Sequence, residues 1–101
     1  MAVSAMKTRI NDELKTAMRA KEKARVAVLR LVMAEFKRIE VDERIELDDA
    51  RVLVVLDKML KQRRDSIEQF DSAGRTELAD QERAESVIIQ EFLPQPLSDA
   101  E

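Results

Sequence analysis

Apolar residues recur at i, i+3, i+4 and i+7 along most of this chain, the period of helices with one buried face. The clearest case covers residues 52–70, where Val52, Leu56, Met59, Arg63, Ser66, Ile67 and Phe70 share a face. An arginine and a serine therefore interrupt an apolar stripe. Residues 78–93 show the same anomaly, with Leu78, Glu82, Glu85, Ile89, Phe92 and Leu93 aligned. Between residues 28 and 39, Val28, Leu29, Val32, Met33, Phe36 and Ile39 form a strong stripe, and Ala24, Ala27, Leu31 and Ala34 a second face. Apolar character on two faces predicts a helix packed between neighbours, the centre of the core. The weakest stripe, Met6, Ile10, Leu14, Ala17 and Met18, predicts a peripheral helix that frays at its start.

Capping residues set the boundaries. Ser4 is a good N-cap, so a first helix should run from there to about Ala20. The stripe changes phase across Lys21–Lys23, which favours a turn although no Gly or Pro is present. A second helix should cover Lys23–Glu40. The period breaks over residues 41–47, which predicts an ordered connection with Val41, Ile45 and Leu47 tucked against the helices. Asp48 and Asp49 suit the positive end of a third helix reaching Ala73, and Gly74 can close it in the left-handed conformation. Thr76 is the expected N-cap of a fourth helix ending before Pro94. The predicted fold is all-α, four main helices, with helices 3 and 4 an antiparallel hairpin packed on helix 2.

In such a hairpin, residues equally far from Gly74 lie at the same height. Arg63 then meets Glu85, Ser66 meets Glu82, Phe70 meets Leu78 and Met59 meets Ile89. The polar anomalies match each other, predicting a structural polar layer of Arg63, Ser66, Glu82 and Glu85. Residues 1–93 form the expected domain. Pro94-Gln95-Pro96-Leu97 reads as a linker, and Ser98-Asp99-Ala100-Glu101 as a capping box: either the last residues coil, or, the favoured expectation, a further helical domain follows.

Composition narrows the chemistry. The 101 residues contain no Cys and no His. That removes thiol nucleophiles, imidazole bases and Cys/His zinc sites. Asp80, Glu82 and Glu85 have a spacing that a carboxylate-only metal or acid–base site could use; pairing with Arg63 explains them more simply. The chain has neither a membrane-length apolar run nor a signal-peptide pattern, so a cytoplasmic location is expected. Net charge is −3, but it is unevenly spread. Residues 1–40 hold ten Lys/Arg against five Asp/Glu, and residues 41–101 hold eight against sixteen. The basic half could face an anionic partner, or the halves could attract each other. Lys15, Arg19, Lys21, Lys23, Arg25 and Arg30, around the expected turn, form the best basic patch. No aromatic residue lies within it to stack a base, which leaves shape-and-phosphate contact with folded RNA. Lys58, Lys61 and Arg64 form a second candidate set, open to an alternative reading as i, i+4 pairs Lys61–Asp65 and Arg64–Glu68.

Several of these blocks carry a resemblance. L-K-T-A-M-R-A-K-E-K (14–23), V-L-R-L-V-M-A-E-F-K (28–37), E-V-D-E-R (40–44), K-M-L-K-Q-R-R-D-S-I-E-Q-F (58–70), A-G-R-T-E-L-A (73–79), the glutamates at 82 and 85, and F-L-P-Q-P-L-S (92–98) resemble the GatB/YqeY-domain family. This family is related to the C-terminal region of the B subunit of the tRNA-dependent amidotransferase. The resemblance implies a helical accessory domain of tRNA-dependent amidation, with tRNA or amidotransferase subunits as partners and a small helical tail domain following. Its family-level label is carbon–nitrogen ligase activity with glutamine as amido donor. The residues themselves offer no catalytic group, cofactor site or metal site for that reaction. A helical protein–protein interaction module without RNA contact is the alternative.

Overall fold

The computed structural model describes residues 4–94; it contains four α-helices and, among the described residues, no strand. They are α1 (Ala5–Arg19), α2 (Lys23–Glu43), α3 (Asp49–Ser72) and α4 (Thr76–Gln90). The linker and capping box expected beyond Pro94 lie outside the described residues. α3 and α4 form the most extensively packed pair, α1 and α2 the next, and α2 lies against all three others. The all-α expectation and the α3–α4 hairpin on α2 therefore hold.

Local chemistry explains the elements. The Ser4 hydroxyl accepts the Lys7 N–H at 3.0 Å, and the Asp48 carboxylate accepts the Arg51 N–H at 2.8 Å, each satisfying an orphan donor of a first turn. The start of α1 is pinned, in contrast to the fraying expected. Buried Ser4 donates its hydroxyl to Asp49, whose carboxylate also accepts the Met6 N–H at 3.1 Å. One acid in the first turn of α3 thus anchors the first turn of α1.

α2 runs three residues past the expected end at Glu40, because nothing in Val41-Asp42-Glu43 breaks a helix. Arg44 closes it with φ 56°, and the Ile45 N–H returns to the Glu40 carbonyl at 3.2 Å. The extra turn carries Val41 into solvent and leaves Ile45 exposed; of the three residues expected to tuck in, only Leu47 is buried. The Glu40 carboxylate fixes it, accepting the Leu47 N–H at 3.0 Å and the Lys7 ammonium at 2.8 Å. At the start of α4, Arg75 holds the cap position without a side-chain bond, and Thr76, expected as the cap, is the first helical residue.

The core consists of Ile10 from α1, Val28, Leu29, Val32 and Phe36 from α2, Leu47, then Val52, Val55, Leu56, Met59 and Leu60 from α3, closed by Ile89 and Phe92. The C-terminal half of α3 leaves this core; Arg63, Ser66, Ile67 and Phe70 are half-buried. The second face of α2 departs from expectation. Ala24, Ala27, Leu31 and Ala34 are all exposed, so α2 is covered on one side only. Met18, assigned to the α1 stripe, is also exposed.

Candidate nucleic-acid interface

α1 ends in a reversal built without glycine. The Lys21 N–H bonds the Met18 carbonyl at 3.2 Å and the Glu22 N–H bonds the Ala17 carbonyl at 3.0 Å, the paired closure of a Schellman motif. It requires a left-handed residue, and Lys21 takes φ 60°. The turn read from the phase change is there. α2 then starts with neither a side-chain cap nor an acid in its first turn. The cap residue itself is an acid, Glu22, flanked by Lys21 and Lys23, and its side chain makes no capping hydrogen bond.

Lys15, Arg19, Lys21, Lys23 and Arg30 are exposed and form no ion pair with any described residue. Arg30 approaches only the Met18 sulfur, at 3.5 Å. Lys21, Lys23 and Arg30 rim a shallow groove whose floor is Met18, Val26 and Ala27. These apolar floor residues were not part of the sequence-read patch; of the three only Ala27 belonged to the second face read on α2. Arg25 differs from its neighbours. It is half-buried between Glu13 and Glu91, 3.0 Å from each. The hydrogen bond to Glu91, followed by that to Glu13, raises the guanidinium pKa above its ordinary value against the pull of burial. Arg25 ties α1 and α2 to the end of α4, so it serves the fold.

The second basic set sits elsewhere. Lys58, Lys61 and Arg64 are exposed on α3. Lys58 lines a groove between α2 and α3 opposite Glu35, and its charge adds to that of Arg38 in holding the Glu35 carboxyl below its usual range. Glu35 lies twelve residues along α2 from Lys23, about 18 Å at the helical rise. The two sets are thus separate surfaces. Lys61 pairs with Asp57 at 3.1 Å, not with Asp65, and Arg64 forms no ion pair among the described residues, so the expected Arg64–Glu68 pair is not seen.

The polar layer is present in its central pair. Arg63 Nε lies 3.3 Å from Glu85 Oε1, with side chains 13% and 19% exposed. The approach is ionic and lacks hydrogen-bond alignment, so Nε is buried without a hydrogen-bond partner. Ser66 and Glu82 are half-buried. Ser86, missed in the sequence, donates its hydroxyl to the Glu82 carbonyl at 2.9 Å, the i−4 back-bond available to any helical serine. Asp80 pairs with Arg83 at 2.7 Å. The acids of α4 that resembled a metal or acid–base set are thus engaged with arginines, apart from Glu82. Among the described residues no group of three or more acids could hold a metal ion.

A family model described as "Yqey-like protein" matches residues 7–101, nearly the whole chain. The chain belongs to the YqeY-like family. That family is related to the C-terminal region of the amidotransferase B subunit. An uncharacterized protein of Schizosaccharomyces pombe is 29% identical over 97 residues, spanning 96% of this chain and 79% of that protein. Two proteins named "Altered inheritance of mitochondria protein 41, mitochondrial" are each 33% identical. The one from Eremothecium gossypii aligns over 91% of this chain and 51% of its own length. The one from Lachancea thermotolerans aligns over 85% and 46%. The YqeY-like chain spans about half the length of these two relatives. Their names place those proteins in mitochondria and give no support to a cytoplasmic location here. No described helix is long and apolar enough to cross a membrane.

Proposed function

We propose that this YqeY-like domain is a non-catalytic, cytoplasmic accessory module of tRNA-dependent amidation that contacts tRNA through the α1–α2 turn. One observation carries the reading. Five exposed cations, Lys15, Arg19, Lys21, Lys23 and Arg30, lie on the α1–α2 turn and the helices that flank it, Lys21, Lys23 and Arg30 around one groove, and none is in an ion pair with a described acid. In a chain whose net charge is −3, leaving this cluster unpaired favours an anionic partner. Phosphate contacts need no base-reading geometry, which suits lysines on a turn. Lys58, Lys61 and Arg64 are a weaker second contact, since Lys58 and Lys61 already face acids.

Binding of this kind releases counterions. If all five cations neutralise phosphates, log Kobs should fall against log salt with a slope of about −4. Filter binding of unmodified tRNA between low and physiological salt measures it. Changing Lys15, Lys21 and Lys23 to Glu, with Arg25 retained because it holds the fold, should abolish binding at physiological salt. Equal affinity of that variant and the parent would refute the reading.

A further inference from the structure

We propose that the groove at the α1–α2 turn takes an unpaired nucleotide of the bound RNA, whose base stacks on the Arg30 guanidinium above the apolar floor. The inference rests on the tRNA reading and adds which part of the RNA is held. The rim and the floor of this groove differ in kind. Lys21, Lys23 and Arg30 line it with charge and Met18, Val26 and Ala27 with apolar surface, around a volume of about 530 Å³, in the range that small ligands occupy. Phosphates alone would satisfy the cations. A paired duplex turns its backbone outward and keeps its base faces stacked inside, so it would leave that floor uncovered. An unpaired nucleotide carries both surfaces at once, an anion and an open ring face.

Arg30 supplies the plane that the patch lacks in aromatic form. Its Nη2 donates to the Met18 sulfur at 3.5 Å. A thioether is a weak, uncharged acceptor, so the contact orients the guanidinium without neutralising it. Arg30 is exposed and forms no ion pair with a described acid. Among the described residues the arginine that lies over an aromatic ring is Arg9, on Phe92, so the Arg30 plane is not taken up by a ring of this chain. A guanidinium stacks on a base as an aromatic side chain does, and it brings charge as well. Position completes the arrangement. Arg30 follows Lys23 by seven residues, two turns of α2, so the two share a face about 10 Å apart along the axis. Lys21 stands beyond Lys23 at the turn. A nucleotide lying along the groove therefore puts its phosphate toward the lysines and its base toward Arg30. Arg25 points to the other side of the helix, held by Glu13 and Glu91, and takes no part.

Fluorescence anisotropy separates this from phosphate contact alone. The probes are a blunt RNA duplex, two RNAs of the same phosphate count (a shorter duplex with a single-stranded overhang and a hairpin with an unpaired loop), and unmodified tRNA, each titrated with the full chain. The overhang or the hairpin should bind about tenfold tighter than the blunt duplex, the effect expected of one stacked base. Arg30→Lys keeps the charge and removes the plane. It should erase that preference while leaving the salt slope for the blunt duplex and the helical circular dichroism unchanged. A preference for only one of the two unpaired probes supports the proposal and says whether a loop or a free end is held. A blunt duplex bound as tightly as both others, or a preference that survives Arg30→Lys, overturns the proposal, while salt-dependent tRNA binding would keep the phosphate reading intact. Failure of tRNA itself to bind overturns both.

Discussion

Lys21, Arg44 and Gly74 adopt φ of 60°, 56° and 75°. The left-handed conformation costs an ordinary L-residue about 1–2 kcal/mol, and glycine little. Gly74 is the matched case: a Cβ built there meets nothing within 4 Å, so Gly74→Ala should lose only the backbone term, about 1 kcal/mol. Arg44 is the inverse case, an exposed side chain without an ion pair among the described residues. Arg44→Gly should therefore stabilise by up to about 1 kcal/mol, a rise of several degrees in Tm for a domain of this size. A melt no higher than the parent's would show that the closure is unstrained. Lys21→Gly should gain similarly while weakening tRNA binding. A lysine held at a strained turn has a reason in the proposed interface that it lacks in the fold.

At the scale of elements, the α3–α4 hairpin was legible because a single glycine fixes the turn and the two polar interruptions sit equally far from it. The Arg63–Glu85 pair confirms that register. Its worth lies between an exposed pair and a fully buried one, since both side chains are more than four-fifths buried yet imperfectly aligned. Arg63→Met and Glu85→Met should each lose about 1–3 kcal/mol, and the double variant should recover most of it, because two methionines leave no stranded charge. Urea titration of the four proteins tests this; a double variant as unstable as the sum of the singles would mean that the two residues do not act as a pair. Other features could not be read in advance. Arg25 depends on Glu91, brought to it only by the fold. Nothing local marks Arg44 as a terminator, so the extra turn of α2 and the exposure of Val41 followed from a backbone choice that sequence patterns do not encode. The second face of α2 carries the pattern of burial, but pattern alone does not say whether the neighbour is part of the same chain.

Across the whole molecule, two carboxylates join what the hairpins leave apart. Glu40 links α2 to Lys7 of α1 and to the Leu47 amide before α3, and Asp49 links α3 to Ser4 and Met6 at the start of α1. The Leu47 N–H first, then the Lys7 ammonium, hold the Glu40 carboxyl below its usual range. The Ser4 hydroxyl first, then the Met6 N–H, do the same for Asp49. A carboxyl whose pKa is lower folded than unfolded gives the unfolded chain more protons in acid, so stability rises with pH through that interval. The contribution is complete above the unfolded carboxyl range, about pH 4–4.5, and is lost as pH falls through the depressed folded values. The chain has no His, so no imidazole titration intervenes and stability should be level from about pH 5 to 8. Glu40→Gln should lower stability at neutral pH, because the amide cannot hold Lys7 by charge. It should also flatten the acid limb, because one coupled proton is gone. Urea midpoints at pH 7, 5, 4 and 3 for the parent and Glu40→Gln measure both effects. Parallel acid limbs would show that Glu40 is not what couples these helices to pH. Glu35, depressed chiefly by its bond to Arg38, is the comparison: that pair lies within α2 and joins no second helix by a hydrogen bond, so Glu35→Gln should lower the neutral-pH stability less than Glu40→Gln does.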